Sequence, residues 1–238
     1  MSKINQNFKI NWDYIFSEMS KNTLFKNDSI NDLFFSDWKE LLCQIEVEFL
    51  NNPDVKVYPF QSYNLNFQIP SEIQPIDIAI PLLIPRLINE LNISKAPVSK
   101  VDIDTFGSKI PYCADFNLKE FNNDPIVVLD EHILKKLILV DGNHRVKYAK
   151  KHNISQLKAH IIQSPFLVNH PLCFSYHFHY AFYCFLLDYT FFNDLYARPS
   201  LLRHLPFYEK HYYRKHSLQY WVKKNSLVFE ENPLLQLY

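Results

Sequence analysis

Glycine is nearly absent: Gly107 and Gly142 are the only two in 238 residues. That scarcity excludes the GxGxxG and Walker phosphate loops, which need several residues free to take positive φ or to let backbone approach a phosphate. Net charge is absent too, because 25 basic side chains cancel 25 acidic ones, which argues against a surface that is one continuous nucleic-acid footprint. The four cysteines, Cys43, Cys113, Cys173 and Cys184, are far apart and form no CxxC pair. Neither a zinc knuckle nor a dense disulfide framework fits, and each reads as a small buried apolar residue in a reducing compartment. The start, MSKINQNFKINWDY, lacks the apolar run of a signal peptide, so a cytoplasmic location is expected.

What the chain does have is apolar and aromatic mass, 47% and 16% of residues, enough for a sizeable core. Asn11 can cap a helix that places Trp12, Ile15, Phe16 and Met19 on one face. Asp28 or Ser29 opens a second helix carrying Ile30, Leu33, Phe34, Trp38, Leu41, Leu42, Ile45 and Phe49, which Asn51-Asn52-Pro53 ends. Intervals of three and four are the amphipathic helix pattern. Six prolines between Val55 and Pro97 predict extended or looped chain there. One short helix fits near Pro85 with Leu87, Ile88 and Leu91, as a connector packed on the next unit.

From Val98 to Gln163 strands and helix alternate. Strands are predicted at Val98 to Ile103, Pro125 to Leu129, Leu137 to Asp141 and Lys158 to Ile162, with a helix from Arg145 to His152. Strand, tight turn, helix and strand within about 26 residues make a compact βαβ crossover. Residues 172–192 are apolar or aromatic nearly all round and long enough to span a bilayer. His177, His179 and Asp188 interrupt them, which predicts a buried helix instead. On a helix His177 and His179 point about 200° apart and cannot chelate one metal, so both read as structural.

Residues 198–224 set Arg198, Arg203, Lys210, Arg214, Lys215, Lys223 and Lys224 against the single acid Glu209, a local net of +6. Tyr208, Tyr212, Tyr213, Tyr220 and Trp221 are interleaved. Cations beside aromatics suit single-stranded nucleic acid or a phosphate-rich ligand; a solvated helix with inward tyrosines gives the same pattern. His211 and His216 flank the Tyr-Tyr-Arg-Lys core of this stretch.

The strongest local signal is Val140-Asp141-Gly142-Asn143-His144-Arg145. A strand carries Asp141 to its C-terminal end, Gly142 permits a sharp turn, and a helix opens at once. The free N–H groups of its first turn and the positive end of its dipole make an anion site. His144 and Arg145 add donors, and the Arg fork matches phosphate oxygens. Asp141 is placed to hold Mg²⁺ or accept a proton from an attacking hydroxyl. The plainer alternative is that Asp141 and Asn143 only cap the helix.

The run PIVVLD, a short gap, then LILVDGNHRVKYAKKHNISQLKAHII resembles the ParB/sulfiredoxin-like fold over residues 97–163, little more than a quarter of the chain. Sulfiredoxins carry Gly-Cys-His-Arg at this turn; Asn143 replaces the cysteine, so sulfinic-acid repair is not implied. Partition proteins carry Gly-Glu-Arg-Arg and a downstream helix-turn-helix, and this chain has neither. The related free-serine kinases use Asp-Gly-x-His-Arg, matched in full by Asp141 to Arg145. That resemblance implies nucleotide phosphates held at Gly142, Asn143, His144 and Arg145, with Asp141 and His144 as catalytic groups and Asp141 as metal ligand. It also implies ATP or another nucleotide with Mg²⁺, and a small hydroxyl-bearing phosphoryl acceptor. The acidic base such enzymes need stays open among Asp102, Asp104 and Glu120.

The expected fold class is α+β: a small ParB/sulfiredoxin-like mixed-sheet core at 97–164, a helical and proline-rich segment at 1–96, and an aromatic, basic helical segment at 165–238, packed as one compact unit. The expected function is a phosphotransferase or nucleotide hydrolase. The alternatives are a nucleic-acid-binding or nuclease-like regulator using the basic segment, and an interaction scaffold. No membrane span is expected.

Overall fold

The protein is described by a computed structural model over residues 10–50, 61–72, 74–106, 123–196 and 206–231. Cys113, Glu120, Arg198 and Arg203 lie outside that range. The described elements are α1 (Trp12–Met19), α2 (Asp28–Leu50), β1 (Ser62–Ile69), β2 (Ile76–Leu83), α3 (Ile84–Ile93), β3 (Ser99–Asp102), β4 (Ile126–Glu131), β5 (Lys136–Asp141), α4 (Asn143–Lys151), β6 (Gln156–Gln163), α5 (Ser164–Asn169), α6 (His177–Tyr196), α7 (Pro206–His216) and α8 (Gln219–Glu231). The chain is α+β, as its patterning predicts. β1 and β2 pair as a two-stranded sheet, so the proline-broken stretch is extended over Ser62–Ile69 and Ile76–Leu83. No helix among the described residues is long and apolar enough to cross a membrane.

The chain divides into two compact units. The first holds α1, α2, residues 65–80, α6 from Ala181 onward, α7 and the start of α8. Its core is aromatic. Phe25, Phe34, Phe192 and Tyr213 form a closed set of ring contacts with centroids 5.0–6.1 Å apart, and Phe34 and Trp38 each also meet Phe185. Asn11 caps α1 by accepting the Tyr14 N–H at 3.2 Å. At α2 the cap is Asn27, one residue ahead of Asp28 and two ahead of Ser29, accepting from the Ser29 N–H at 3.0 Å.

Three acids are buried here and each gathers donors, as a group removed from water must. Glu46 accepts from Trp12 Nε1 at 2.6 Å and the Ile10 N–H at 3.1 Å. Glu209 accepts from the Lys26 and Asn27 N–H groups, both at 2.9 Å. Asp188 Oδ2 accepts from Ser217 Oγ at 2.7 Å, the Leu218 N–H at 2.9 Å and Trp38 Nε1 at 3.2 Å. One carboxylate oxygen thereby fixes α2, α6 and the α7–α8 turn together. The aromatic run that has membrane length is, from Tyr180 to Asp188, protein core.

The second unit holds α3, β3 to β6, α4, α5 and the first turn of α6. Its sheet has the order β3-β6-β4-β5. β4 runs antiparallel to β5 and parallel to β6, and β3 runs antiparallel to β6. This corrects the expected crossover: the strands before and after α4 are not neighbours, and the parallel pair is β4 with β6, joined through β5 and α4. Val146 and Ala149 of α4 pack on Ile126, Val128, Leu139, Leu157 and Ala159 from one face of the sheet. Asn153, at φ 55°, ends α4 in the left-handed region, with the Ile154 N–H returning to the Ala149 carbonyl at 2.9 Å. Leu87 and Leu91 of α3 are buried, whereas Ile88 is 38% exposed. His179 Nδ1 lies 2.7 Å from Ser175 Oγ, which fits its structural reading.

Burial pushes the Asp188 carboxyl up to about 7 in spite of its three donors. Its folded value exceeds the unfolded one, so its stabilising contribution is complete below about pH 4 and is lost as pH rises through about 7. Burial pushes His179 down to about 4, and that contribution has the opposite sign, present above about pH 6.5 and lost as pH falls through 4. Asp188→Asn keeps an acceptor oxygen and removes the ionisation. Between pH 5 and 8 the melting temperature of the wild type should therefore fall relative to that of Asp188→Asn, measured by calorimetry in matched buffers.

Candidate functional site

The ladder between β4 and β5 holds one irregularity. From Glu131↔Lys136 through Val128↔Leu139 the pairing is regular, and then it shifts so that Val127 faces Asp141. An unbroken register would set Val140 opposite Val127 and leave Asp141 opposite Ile126, on the face that α4 covers. The extra residue turns Asp141 to the other face, where bulges commonly re-aim functional side chains. On β6 the register partner of Val127 is His160. His160, Val127 and Asp141 thus form a row straight across three strands.

That row is part of the lining of a cleft of about 450 Å³, together with Ile88, Leu91 and Asn92 of α3, Asp124 and Pro125 ahead of β4, and His144 and Arg145 of α4. The size suits a small-molecule ligand. Three of the sequence candidates, Asp141, His144 and Arg145, come together here. Gly142 provides the turn between them.

Gly142 sits at φ 103° and ψ 20°, the left-handed region, at the N-cap of α4. A Cβ at this position would lie 2.4 Å from Ile126 Cγ2 and 2.8 Å from Ile126 Cβ. Glycine is therefore required both by its φ and by its contact with β4. Its carbonyl accepts the Val146 N–H at 3.0 Å, the first bond of the helix. No side chain caps α4, so neither Asp141 nor Asn143 has the capping role of the plainer reading. The first-turn N–H groups keep their capacity for an anion. Asn143 Oδ1 is buried without a hydrogen-bond partner.

Arg145 is committed within the turn. Its Nη1 donates to the carbonyls of Asp124 and Pro125, both at 2.8 Å, and its Nη2 donates to Asp141 Oδ2 at 2.5 Å. The pair is largely shielded, with 18% of the Arg145 side chain and 12% of Asp141 exposed. Asp141 Oδ1 receives a long bond, 3.4 Å, from Gln61 Nε2. His160 Nδ1 is anchored 3.2 Å from the Pro97 carbonyl.

Of the candidate acidic bases, Asp102 accepts the Asp104 N–H at 3.0 Å, and neither residue lines the cleft. The acid that does, apart from Asp141, is Asp124, which sequence reasoning missed along with Gln61, Asn92 and His160. A signal for His160 exists in β6, where a polar residue sits among alternating apolar ones. No group of three or more metal-ligating side chains occurs among the described residues. Asp141 by itself fits Mg²⁺ only in the company of phosphate oxygens and water, which is how that ion is usually held.

No protein-family model, no curated protein and no solved structure matches the chain.

Gly142→Ala should cost about 2–4 kcal/mol of stability, from the left-handed backbone and the overlap with fully buried Ile126. Gly142→Asn should recover only part of the loss, because asparagine tolerates the φ but still brings a Cβ. Urea midpoints of the two variants measure both effects.

Proposed function

We propose that the β3–β6 and α4 unit is a ParB/sulfiredoxin-like fold that binds a nucleotide with its phosphates at the start of α4, for phosphoryl transfer or hydrolysis. The observation that carries this reading is the glycine-turned, uncapped N-terminus of α4 opening beside Asp141 and His144 at one cleft. A strand–turn–helix over Asp-Gly-Asn-His-Arg is the context that the resemblance to the free-serine kinases implies for phosphate binding.

The roles within the motif differ from those implied by resemblance alone. Arg145 already spends three bonds on its neighbours, so its role is to hold the turn and Asp141 in place. Phosphate oxygens then meet the first-turn N–H groups and His144. Asp141 takes Mg²⁺ jointly with the phosphates, or accepts the proton of an attacking hydroxyl. Among the described acids other than Asp141, Asp124 is the candidate base at the cleft, which Asp102 and Asp104 do not line. Ile88 and Leu91 offer an apolar wall to the nucleoside.

Isothermal titration of the full chain with ATP, ADP, CTP and GTP, with and without Mg²⁺, tests this. One nucleotide should bind, and His144→Ala should weaken it by about tenfold or more, the cost of one charge-assisted hydrogen bond. Asp141→Asn should remove the Mg²⁺ dependence. Absence of heat for all four nucleotides at millimolar concentration would overturn the reading.

A further inference from the structure

From Lys210 to Lys224 the basic, aromatic stretch contributes no residue to the cleft lining and forms a surface of the first unit. In α7, Glu209 and Tyr213 are buried while Lys210, His211, Arg214, Lys215 and His216 are exposed. In α8, Val222 is buried while Tyr220, Trp221, Lys223 and Lys224 are exposed. Glu209 is the only acid between residues 198 and 224, and its carboxylate is consumed by two backbone N–H groups. The compensating charge is thus withdrawn from solvent while the cations stay outside. Among the described residues no acid pairs with Lys210, Arg214 or Lys215.

Rings are exposed between these cations. Tyr220 is 67% exposed and Trp221 37%, with ring centroids 6.1 Å apart. Lys224 Nζ lies 4.9 Å over the Trp221 ring. Phe191 of α6, also 37% exposed, lies parallel to Tyr212 at 6.4 Å, and His216 covers Tyr212 at 4.2 Å. Large exposed aromatics cost free energy in water unless a partner covers them. Tyr220 and Trp221 lie on the basic stretch itself, and Phe191 reaches it through Tyr212.

We propose that the α7–α8 surface binds single-stranded nucleic acid, with Tyr220 and Trp221 stacking on bases and Lys210, Arg214, Lys215 and Lys224 contacting the phosphate backbone. A strand supplies both halves of the complement, regularly spaced anions and flat faces, and every base presents a face whatever its sequence. Duplex DNA hides its base faces and would use only the cations. The site shares no residue with the cleft lining and does not depend on the nucleotide reading.

The experiment is fluorescence anisotropy of labelled 20-nucleotide single-stranded DNA and RNA, a duplex of equal length, and heparin, each titrated with the full chain. Single strands should bind in preference to duplex. With about four phosphates neutralised, affinity should fall about 50-fold between 50 and 200 mM salt. Tyr220→Ala and Trp221→Ala should each weaken single-strand binding by roughly 5- to 150-fold and leave heparin binding unchanged. Of the three tryptophans, Trp12 and Trp38 are buried at 3% and 0% exposure, so strand binding should quench an emission that Trp221→Phe removes. No binding at 50 mM salt, a preference for duplex, or single-strand binding indifferent to both alanine variants would each overturn the proposal. Both positions are exposed, and circular dichroism of each variant verifies that the fold is intact.

Discussion

The single extra residue in β5 is the constraint on which the cleft depends. A strand alternates its side chains with period two, so inserting one residue against β4 reverses the facing of everything beyond it. Only Asp141 lies beyond it before the strand ends, and the shift brings that carboxylate level with Val127 and His160. Gly142 then reverses direction at once, with its missing Cβ filled by Ile126. Arg145 closes the arrangement by bonding back to Asp141 and to two carbonyls ahead of β4. Bulge, turn and strut occupy six consecutive residues, and each holds the others in place. A change in any one displaces the carboxylate and the start of α4 together.

The neutral composition conceals a division of labour among charges. In the first unit three acids, Glu46, Asp188 and Glu209, are buried and serve as acceptors for backbone and indole N–H groups. Bound by these donors, the three carboxyls tie helices together and are not among the groups that meet solvent beside the cations. The cations of α7 and α8 remain exposed. Counting formal charge therefore understates how positive this face is, and the same acids that organise the aromatic core are the ones missing from the surface.

Most of the elements were legible in the sequence because their signals are local. The three-four spacing from Ile30 to Ile45 gave α2, Asn11 gave the start of α1, and the Asp141-Gly142 junction gave the end of β5 and the start of α4. What was not legible depends on pairing at a distance. Nothing in Leu137 to Asp141 marks which residue is the extra one, since the bulge exists only relative to β4. The crossover was misread for the same reason: local periodicity shows that a strand follows α4 but not which strand it joins. Asp124 and Gln61 are polar residues in chain that patterning leaves blank, and only the fold brings them to Asp141. Ile88 was placed with Leu87 and Leu91 on a short connector helix, and only the fold shows that it stands 38% exposed in the lining of the cleft.

The commitment of Arg145 also decides what an anion would find there. An arginine paired to an aspartate at 2.5 Å presents little net charge, so the cleft is not strongly positive in the way a free arginine would make it. Attraction for phosphate in the proposed reading then comes from the dipole and first-turn donors of α4, each weak, and from His144. In the proposed reading a nucleotide arriving with Mg²⁺ would alter the balance, because the ion would both lower the ligand's negative charge and compete with Arg145 for Asp141. Released from Asp141, the guanidinium would keep its two carbonyl bonds and so still hold the turn. On this argument the ion, the aspartate and the arginine act as one exchange, and binding of nucleotide without the divalent ion should be the weaker of the two by the loss of that exchange.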